Sequence, residues 1–223
     1  MQSFYGRKLS RKIERSEIRS LENFQFFLKD ENAKKLIESL NRKFEEINLE
    51  IGFGSGENTA HQALKNSNEL FLACDPFLNG LIKLKKKIEN KEINNLYMTN
   101  LDFAKFYKFI GRISFKKVFI LFPDPWPKKK HKKRRLINEE FVNLLSKISA
   151  IGSKIIVATD DEDYVNQILY SFYLNKEFRL SYRIRENELL KNFDICSTKY
   201  FLRAKKISKM AYFLLFERQF LVK

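Results

Sequence analysis

The chain has 223 residues, 44% of them apolar and 14% aromatic, enough to bury a substantial core and to exclude an intrinsically disordered protein. No stretch approaches the roughly 18 consecutive apolar residues of a membrane span, and residues 1–8 carry no secretory apolar region, so a cytoplasmic protein with no membrane attachment is expected. The formal net charge of +16 favours a polyanionic partner, although a coding bias toward Lys, Asn and Ile would by itself account for part of the excess.

The first 45 residues are basic and helix-prone, with Phe24, Phe26, Phe27 and Leu28 as a packing face. They read as an extension that caps a sheet or touches a partner, ahead of a single domain over 46–223. From Glu46 onward, short apolar runs alternate with helix-period segments, the pattern of βαβ units and a parallel sheet. Strands are expected at 47–51, 70–75, 96–99, 118–122 and 154–159, with the lysine-rich 83–95 as an exposed helix end and its loop. The run at 118–122 is apolar without alternation, which suits a central parallel strand covered on both faces. Leu136, Ile137, Phe141, Leu144, Leu145 and Ile148 recur at helical spacing before Gly152, which should stop that helix, and 161–174 reads as the next. Two late runs, 178–184 and 211–216, are close enough in sequence to pair antiparallel at the sheet edge. The result is an α/β fold with a seven-stranded, mostly parallel sheet and an antiparallel carboxyl-terminal pair.

At the end of the first strand stands Glu50-Ile51-Gly52-Phe53-Gly54-Ser55-Gly56-Glu57, an acid followed by glycines at alternate positions. Such glycines let the backbone turn sharply and approach a ligand. The position that would complete a dinucleotide-binding G-x-G-x-x-G is Glu57, whose charge would repel a phosphate at a helix start. Asp75 closes the second strand, where a carboxylate can accept from ribose hydroxyls. Asp102, after the third strand, either joins this set or caps the helix that follows it. A glycine loop and a ribose acid without a phosphate cradle point to a nucleoside such as S-adenosylmethionine, whose charged end Glu50 would face through water or backbone.

The fourth strand runs into Phe122-Pro123-Asp124-Pro125-Trp126-Pro127. Asp124 would sit just beyond its carboxyl end, where open α/β sheets place ligands. The two prolines push Phe122 and Asp124 toward extended conformations, so a buried-looking carboxylate is held on a stiff segment. Seven Lys or Arg follow among the eight positions 128 to 135. Cations at a helix amino terminus oppose its dipole, which argues for an outside anion, with a solvated helix start as the alternative. Trp126 either stacks on a base or wedges into the packing. Asp160 either meets a substrate or caps the helix at 161–174, and Asp161 can take either role. His61 and His131 lack ligand spacing, and Cys74 and Cys196 form no CxxC pair, so no metal site and no disulfide are expected.

These residues closely resemble a known family, the bacterial tRNA (guanine-N7)-methyltransferases, which are class I S-adenosylmethionine-dependent enzymes. The matching elements are the Glu50 to Gly56 run, the Phe-Pro-Asp-Pro-Trp block with its basic run, Thr159-Asp160, Ser197-Thr198-Lys199-Tyr200 and the amino-terminal Phe4-Tyr5-Gly6-Arg7-Lys8. The resemblance covers residues 50–203. It implies a Rossmann-like class I methyltransferase fold and methyl transfer to N7 of the variable-loop guanosine 46 of tRNA, by a monomer or homodimer without an obligate protein partner. It implies cofactor contacts from Glu50, Gly52, Gly54, Gly56, Asp75, Asp102 and Asp124, with Asp124 also catalytic. Lys128, Asp160 and Thr198 would contact substrate, and Lys130, His131, Lys132, Lys133, Arg134 and Arg135 would touch RNA. Two departures stand out. Position 75 is Asp where relatives usually carry Glu, and the family's Thr-x-x-Glu reads Thr198-Lys199-Tyr200-Phe201, so its carboxylate is absent unless Asp194 supplies one. The alternatives are a methyltransferase acting on another RNA and an RNA-binding protein on a decayed methyltransferase scaffold.

Overall fold

The computed structural model describes residues 13–110, 113–185 and 195–220, so the Phe4 to Lys8 block and Asp194 lie outside the described residues. The seven-stranded sheet is mostly parallel, and the chain divides into two compact units, Gln2–Ile113 and Ser114–Lys223.

The first unit carries α1 (Arg15–Glu22), α2 (Asp30–Lys43), β1 (Glu46–Ile51), α3 (Glu57–Lys65), β2 (Glu69–Cys74), α4 (Leu78–Ile88), β3 (Leu96–Thr99) and α5 (Phe103–Ile110). Its strands are parallel with β2 in the centre, and Leu70 to Cys74 are all buried, as in a strand covered on both faces. Register decides where the ligand-binding ends fall: Ile51 pairs with Cys74, and Cys74 with Thr99. Gly52, Asp75 and the approach to Asp102 therefore leave the strands at one level. The amino-terminal segment joins the β3 edge through its backbone, the Met98 N–H donating to Phe26 O at 2.9 Å and the Leu28 N–H to Met98 O at 2.8 Å. Leu21, Leu28, Ile37 and Leu40 bury its apolar faces.

The second unit carries β4 (Phe115–Leu121), a 3₁₀ helix (Lys129–Arg134), α6 (Glu139–Ile148), β5 (Ser149–Thr159), α7 (Glu162–Tyr173), β6 (Phe178–Arg185), α8 (Lys199–Lys206) and β7 (Tyr212–Arg218). Its strand order is β4-β5-β7-β6. β4 and β5 are parallel, and β7 inserts between β5 and β6, antiparallel to both, which includes the antiparallel carboxyl-terminal pair expected from the sequence.

Three local expectations change. α6 starts at Glu139, not at 136, because Asn138 Oδ1 accepts the Phe141 N–H at 3.0 Å as its cap, and Glu139 and Glu140 suit the dipole there. The basic run thus lies outside the first turn of α6. Gly152 does not stop this helix: the chain passes directly into β5 at Ser149, and Gly152 (φ +76°) lies within β5, where the register against β4 shifts. Phe122 is left-handed at φ +55°, not extended.

Candidate active site

In the first unit the loop from β1 to α3 is pinned by backbone and carboxylate bonds. The Gly52 N–H donates to Cys74 O at 2.8 Å, and the Gly54 N–H to Asp75 Oδ2 at 2.8 Å. Asp75 Oδ1 accepts the Phe77 N–H at 2.9 Å, so this one buried carboxylate ties the glycine loop to the start of α4. Packing explains two of the small residues. A Cβ on Gly80 of α4 would stand 2.0 Å from Gly54 O, and one on left-handed Gly56 would meet Leu84 Cδ1 at 2.7 Å. Gly52 is different. It is also left-handed, at φ +73°, but nothing lies within 4 Å of where its Cβ would be, so open space adjoins the carboxyl end of β1.

Glu50, two residues before Gly52 on β1, is 4% exposed, with Oε2 accepting from Thr59 Oγ1 at 2.5 Å and Asn58 Nδ2 at 3.2 Å. Burial pushes its carboxyl up to about 7, against the lowering pull of those two hydrogen bonds. Asp102 caps α5, its Oδ1 accepting the Lys105 N–H at 2.9 Å. Glu57 opens α3 and lies 3.6 Å from Lys87 Nζ, so negative charge occupies the helix start where a phosphate would otherwise bind. A nucleoside with a cationic amino-acid end fits this donor and acceptor set; a pyrophosphate does not.

In the second unit, β4 delivers the chain into a strained loop. Phe122 (φ +55°) and Trp126 (φ +44°) bracket Pro123, Asp124 and Pro125, and a left-handed non-glycine residue costs roughly 1–2 kcal/mol. Such conformations persist only when their surroundings hold them. The Phe122 N–H donates to Ala158 O at 2.8 Å, and its ring packs against Phe201 and Phe213 at 6.4 and 6.3 Å between centroids. These tertiary anchors override the extended preference that Pro123 imposes. Trp126 is half-buried, with the Arg134 guanidinium carbon 5.0 Å from its ring centre and the His131 ring edge-on at 5.8 Å. Asp124 sits exposed at the apex, not buried, yet the surrounding protein withdraws enough water to raise its carboxyl above the ordinary value.

The basic run does not act as one patch. Lys128, Lys129, Lys130 and Lys133 are exposed. Lys132 Nζ pairs with Asp163 at 2.7 Å. Lost hydration and the nearby cations Arg134, Lys130 and Lys128 hold the His131 imidazole below its usual range, which favours the neutral form. Arg135, expected on the RNA face, turns inward and is 2% exposed, because Pro125 O, Gln167 and the carboxylates of Asp161 and Asp163 draw its guanidinium inside.

The paired acids after β5 separate cleanly. Asp161 caps α7, its Oδ1 accepting the Tyr164 N–H at 2.8 Å, and Asp160 is left to face Lys209 Nζ at 3.6 Å. Thr198 Oγ1 accepts the Phe201 N–H at 3.2 Å and so caps α8. Sequence reasoning missed Asp163, Tyr164 and Gln167, which anchor the loop from α7. The i, i+4 spacing of Asp163 and Gln167, which puts both on one side of the helix, was the available signal.

The fold recurs in solved structures. An antibiotic-related methyltransferase superposes with TM-score 0.62 at 17% identity, covering 86% of this chain and 96% of that one. A 16S rRNA (adenine(1408)-N(1))-methyltransferase from Catenulisporales acidiphilia gives 0.58 at 13% identity, covering 86% and 96%. A family model described as "Putative methyltransferase" matches residues 45–214. Fold and family model together make this a class I methyltransferase. The relatives narrow the class: proteins named tRNA (guanine-N(7)-)-methyltransferase are 44% identical over 138 residues in Wolbachia pipientis wMel, 36% over 168 in Neorickettsia sennetsu and 30% over 230 in Cereibacter sphaeroides. These matches cover 62%, 75% and 97% of this chain and 62%, 73% and 91% of the relatives; the first therefore falls short of two thirds of its relative's length. The chain belongs to the tRNA (guanine-N(7)-)-methyltransferase family.

Proposed function

We propose that this protein transfers a methyl group from S-adenosylmethionine to N7 of guanine in tRNA, at the variable-loop guanosine 46, and that it works in the cytoplasm where that substrate is found. The observation that carries this reading is the match to relatives bearing that name, which extends across nearly the whole chain in one case. Residues 46–223 would form the catalytic domain, with 1–45 as an extension. S-adenosylmethionine, when bound, supplies an electrophilic methyl on sulfur. The open space at Gly52 would receive it, Asp75 would accept from its ribose, and Glu50, Gly54, Gly56 and Asp102 would shape the surrounding wall.

The chain's task is alignment more than proton removal. Guanine N7 carries an in-plane lone pair, so it can attack without first losing a proton, and no strong base is needed. Correct alignment of reacting atoms is worth roughly 7–11 kcal/mol in favourable cases. The N1–H and N2 amino edge of guanine offers only donors, which carboxylates accept, and a carboxylate there also offsets the charge the ring gains. Asp124 on its braced loop and Asp160, free of the capping role, would take that edge, with Lys128 and the Thr198 segment beside them. Lys129, Lys130 and Lys133 would hold phosphates.

The test is methyl transfer from labelled cofactor to unmodified tRNA, with mass spectrometry of the released nucleosides. Appearance of 7-methylguanosine is expected, and its absence from every tRNA pool would end the proposal. One observation favours a second reading, an RNA-binding protein on a decayed scaffold: the buried Phe201 where the family carries Glu. Calorimetry showing tRNA binding without cofactor binding would support that reading instead.

A further inference from the structure

Arg135 closes a run of cations, yet it is the one member of that run that is buried. We propose that Arg135 is a positioning residue that clamps the Asp124 loop to α7, in place of the RNA contact its sequence context implies. The proposal deepens the methyltransferase reading and rests on Asp124 meeting the guanine. Nε donates to Pro125 O at 2.7 Å, the carbonyl of the residue that follows Asp124. Nη1 donates to Gln167 Oε1 at 3.0 Å, and Nη2 lies 2.7 Å from Asp163 Oδ2 and 3.6 Å from Asp161 Oδ1. The guanidinium carbon stands 4.7 Å from the centre of the Tyr164 ring.

One planar fork therefore hydrogen-bonds a loop carbonyl and an amide through Nε and Nη1 and ion-pairs with two carboxylates through Nη2, while lying over an aromatic ring. An ammonium cannot satisfy these directions at once. The anchors are themselves fixed. Tyr164 is fully buried, and its hydroxyl accepts the Ile137 N–H at 2.9 Å; Gln167 Nε2 donates to Ile137 O at 2.9 Å. The clamp acts on a segment that needs one, since Phe122 and Trp126 are both left-handed. Held this way, the Asp124 carboxylate keeps its place before RNA arrives, and no reorganisation is left for the reaction.

Trp126 is the only tryptophan in the chain and ends the clamped loop, so its fluorescence reads the loop without any substrate. The experiment compares wild type with Arg135→Met, Arg135→Lys and Asp163→Asn in acrylamide quenching of Trp126, kcat for tRNA methylation, tRNA Kd against salt, and melting temperature. With the clamp, Arg135→Met raises quenching and lowers kcat about ten- to a hundredfold, a loss typical of misplaced catalytic groups, while Kd and its salt slope stay unchanged. Arg135→Lys keeps the charge but not the fork, so kcat and quenching remain impaired. An RNA contact would behave oppositely: Arg135→Met would weaken binding and cut the salt slope by about one, with quenching unchanged, and that result overturns the proposal. Unchanged kcat and quenching in a folded variant overturn it as well. Should Arg135→Met fail to fold, Arg135→Lys and Asp163→Asn carry the same readouts. If the wild type methylates no tRNA, the functional reading falls, and Trp126 quenching alone decides the clamp.

Discussion

Phe201 rests against Phe122, ring centroids 6.4 Å apart and planes tilted by 44°, at the position where the family's Thr-x-x-Glu pattern places a carboxylate. Phe213 completes the group, 5.8 Å from Phe201. The cluster holds the turn by which β4 enters the Asp124 loop, so Phe201 supplies packing under a strained residue. Phe201→Ala should cost about 3–5 kcal/mol, as buried Phe truncations do. Phe201→Glu should be no milder, because it buries a charge without a partner. At about 2–4 °C per kcal/mol for a chain of this size, either variant should melt about 6–20 °C lower. A Phe201→Glu protein melting with the wild type would show that the cluster carries no load.

Asp124 leads to a kinetic prediction. Asp124→Asn keeps the shape but replaces an acceptor with a mixed donor, so turnover should collapse while tRNA affinity stays within a few fold. The pH dependence follows from its raised carboxyl. The ionised form accepts from guanine, so single-turnover rates should climb with pH through a limb lying above the ordinary carboxylate range and disappear below it. A limb at the ordinary position, or an active Asp124→Asn enzyme, would remove Asp124 from this role.

The division within the basic run makes salt dependence specific. Each phosphate contact contributes a slope of about 0.7 to 0.9 in log K against log salt. Replacing the exposed Lys129, Lys130 and Lys133 with Gln should flatten the slope of tRNA binding by about 2 to 3. Lys132→Gln alone should change it less than any one of these, because Lys132 is already paired with Asp163. A larger loss from Lys132→Gln than from Lys133→Gln would contradict the assignment.

How much of this was legible in the sequence depends on whether a feature is local. The strands were readable where an apolar run is bounded by polar or glycine punctuation, as in Leu70 to Cys74 and Val118 to Leu121, and where apolar residues alternate with polar ones, as in Phe178 to Arg185. The glycine loop and Asp75 were readable because fixed spacing after a strand places them at its end. Arg134 and Arg135 are identical as letters, and only contacts with Asp163 and its neighbours turn the second inward. Pro123 predicts an extended Phe122 from nearest-neighbour sterics, and contacts with Ala158, Phe201 and Phe213 overrule it. The edge pairing of 26–28 with Met98 uses backbone groups, which leave no residue-type signature. Of the adjacent acids, either could cap α7, and only the observed bond to Tyr164 assigns Asp161.

Gly80 and Gly52 should respond differently to alanine. Gly80→Ala sets a methyl 2.0 Å from Gly54 O, a backbone atom that cannot rotate away, so the glycine loop must shift and both stability and cofactor affinity should fall. Gly52→Ala meets no neighbour and costs only its left-handed backbone, roughly 1–2 kcal/mol. Its methyl enters the space assigned to the cofactor, so it should fold and yet lose S-adenosylmethionine binding. Thermal melts with and without cofactor separate the two, and a Gly52→Ala protein that the cofactor stabilises as it does the wild type would place the ligand elsewhere.

Glu50 couples that same space to pH. Its carboxyl titrates at about 7 in the folded chain against an ordinary 4.5, so between these values the folded state holds a proton the unfolded state has released. Its contribution to stability is therefore fully present below about 4.5 and lost as pH rises through about 7, on the order of 3 kcal/mol across that window. Glu50→Gln should remove this slope. A cofactor whose ammonium end approaches Glu50 favours the ionised form and expels the proton. Calorimetry at pH 6 in buffers of different ionisation enthalpy should record release of close to one proton on S-adenosylmethionine binding, and none for Glu50→Gln. Equal proton release from both proteins would mean that Glu50 does not sense the ligand's charge.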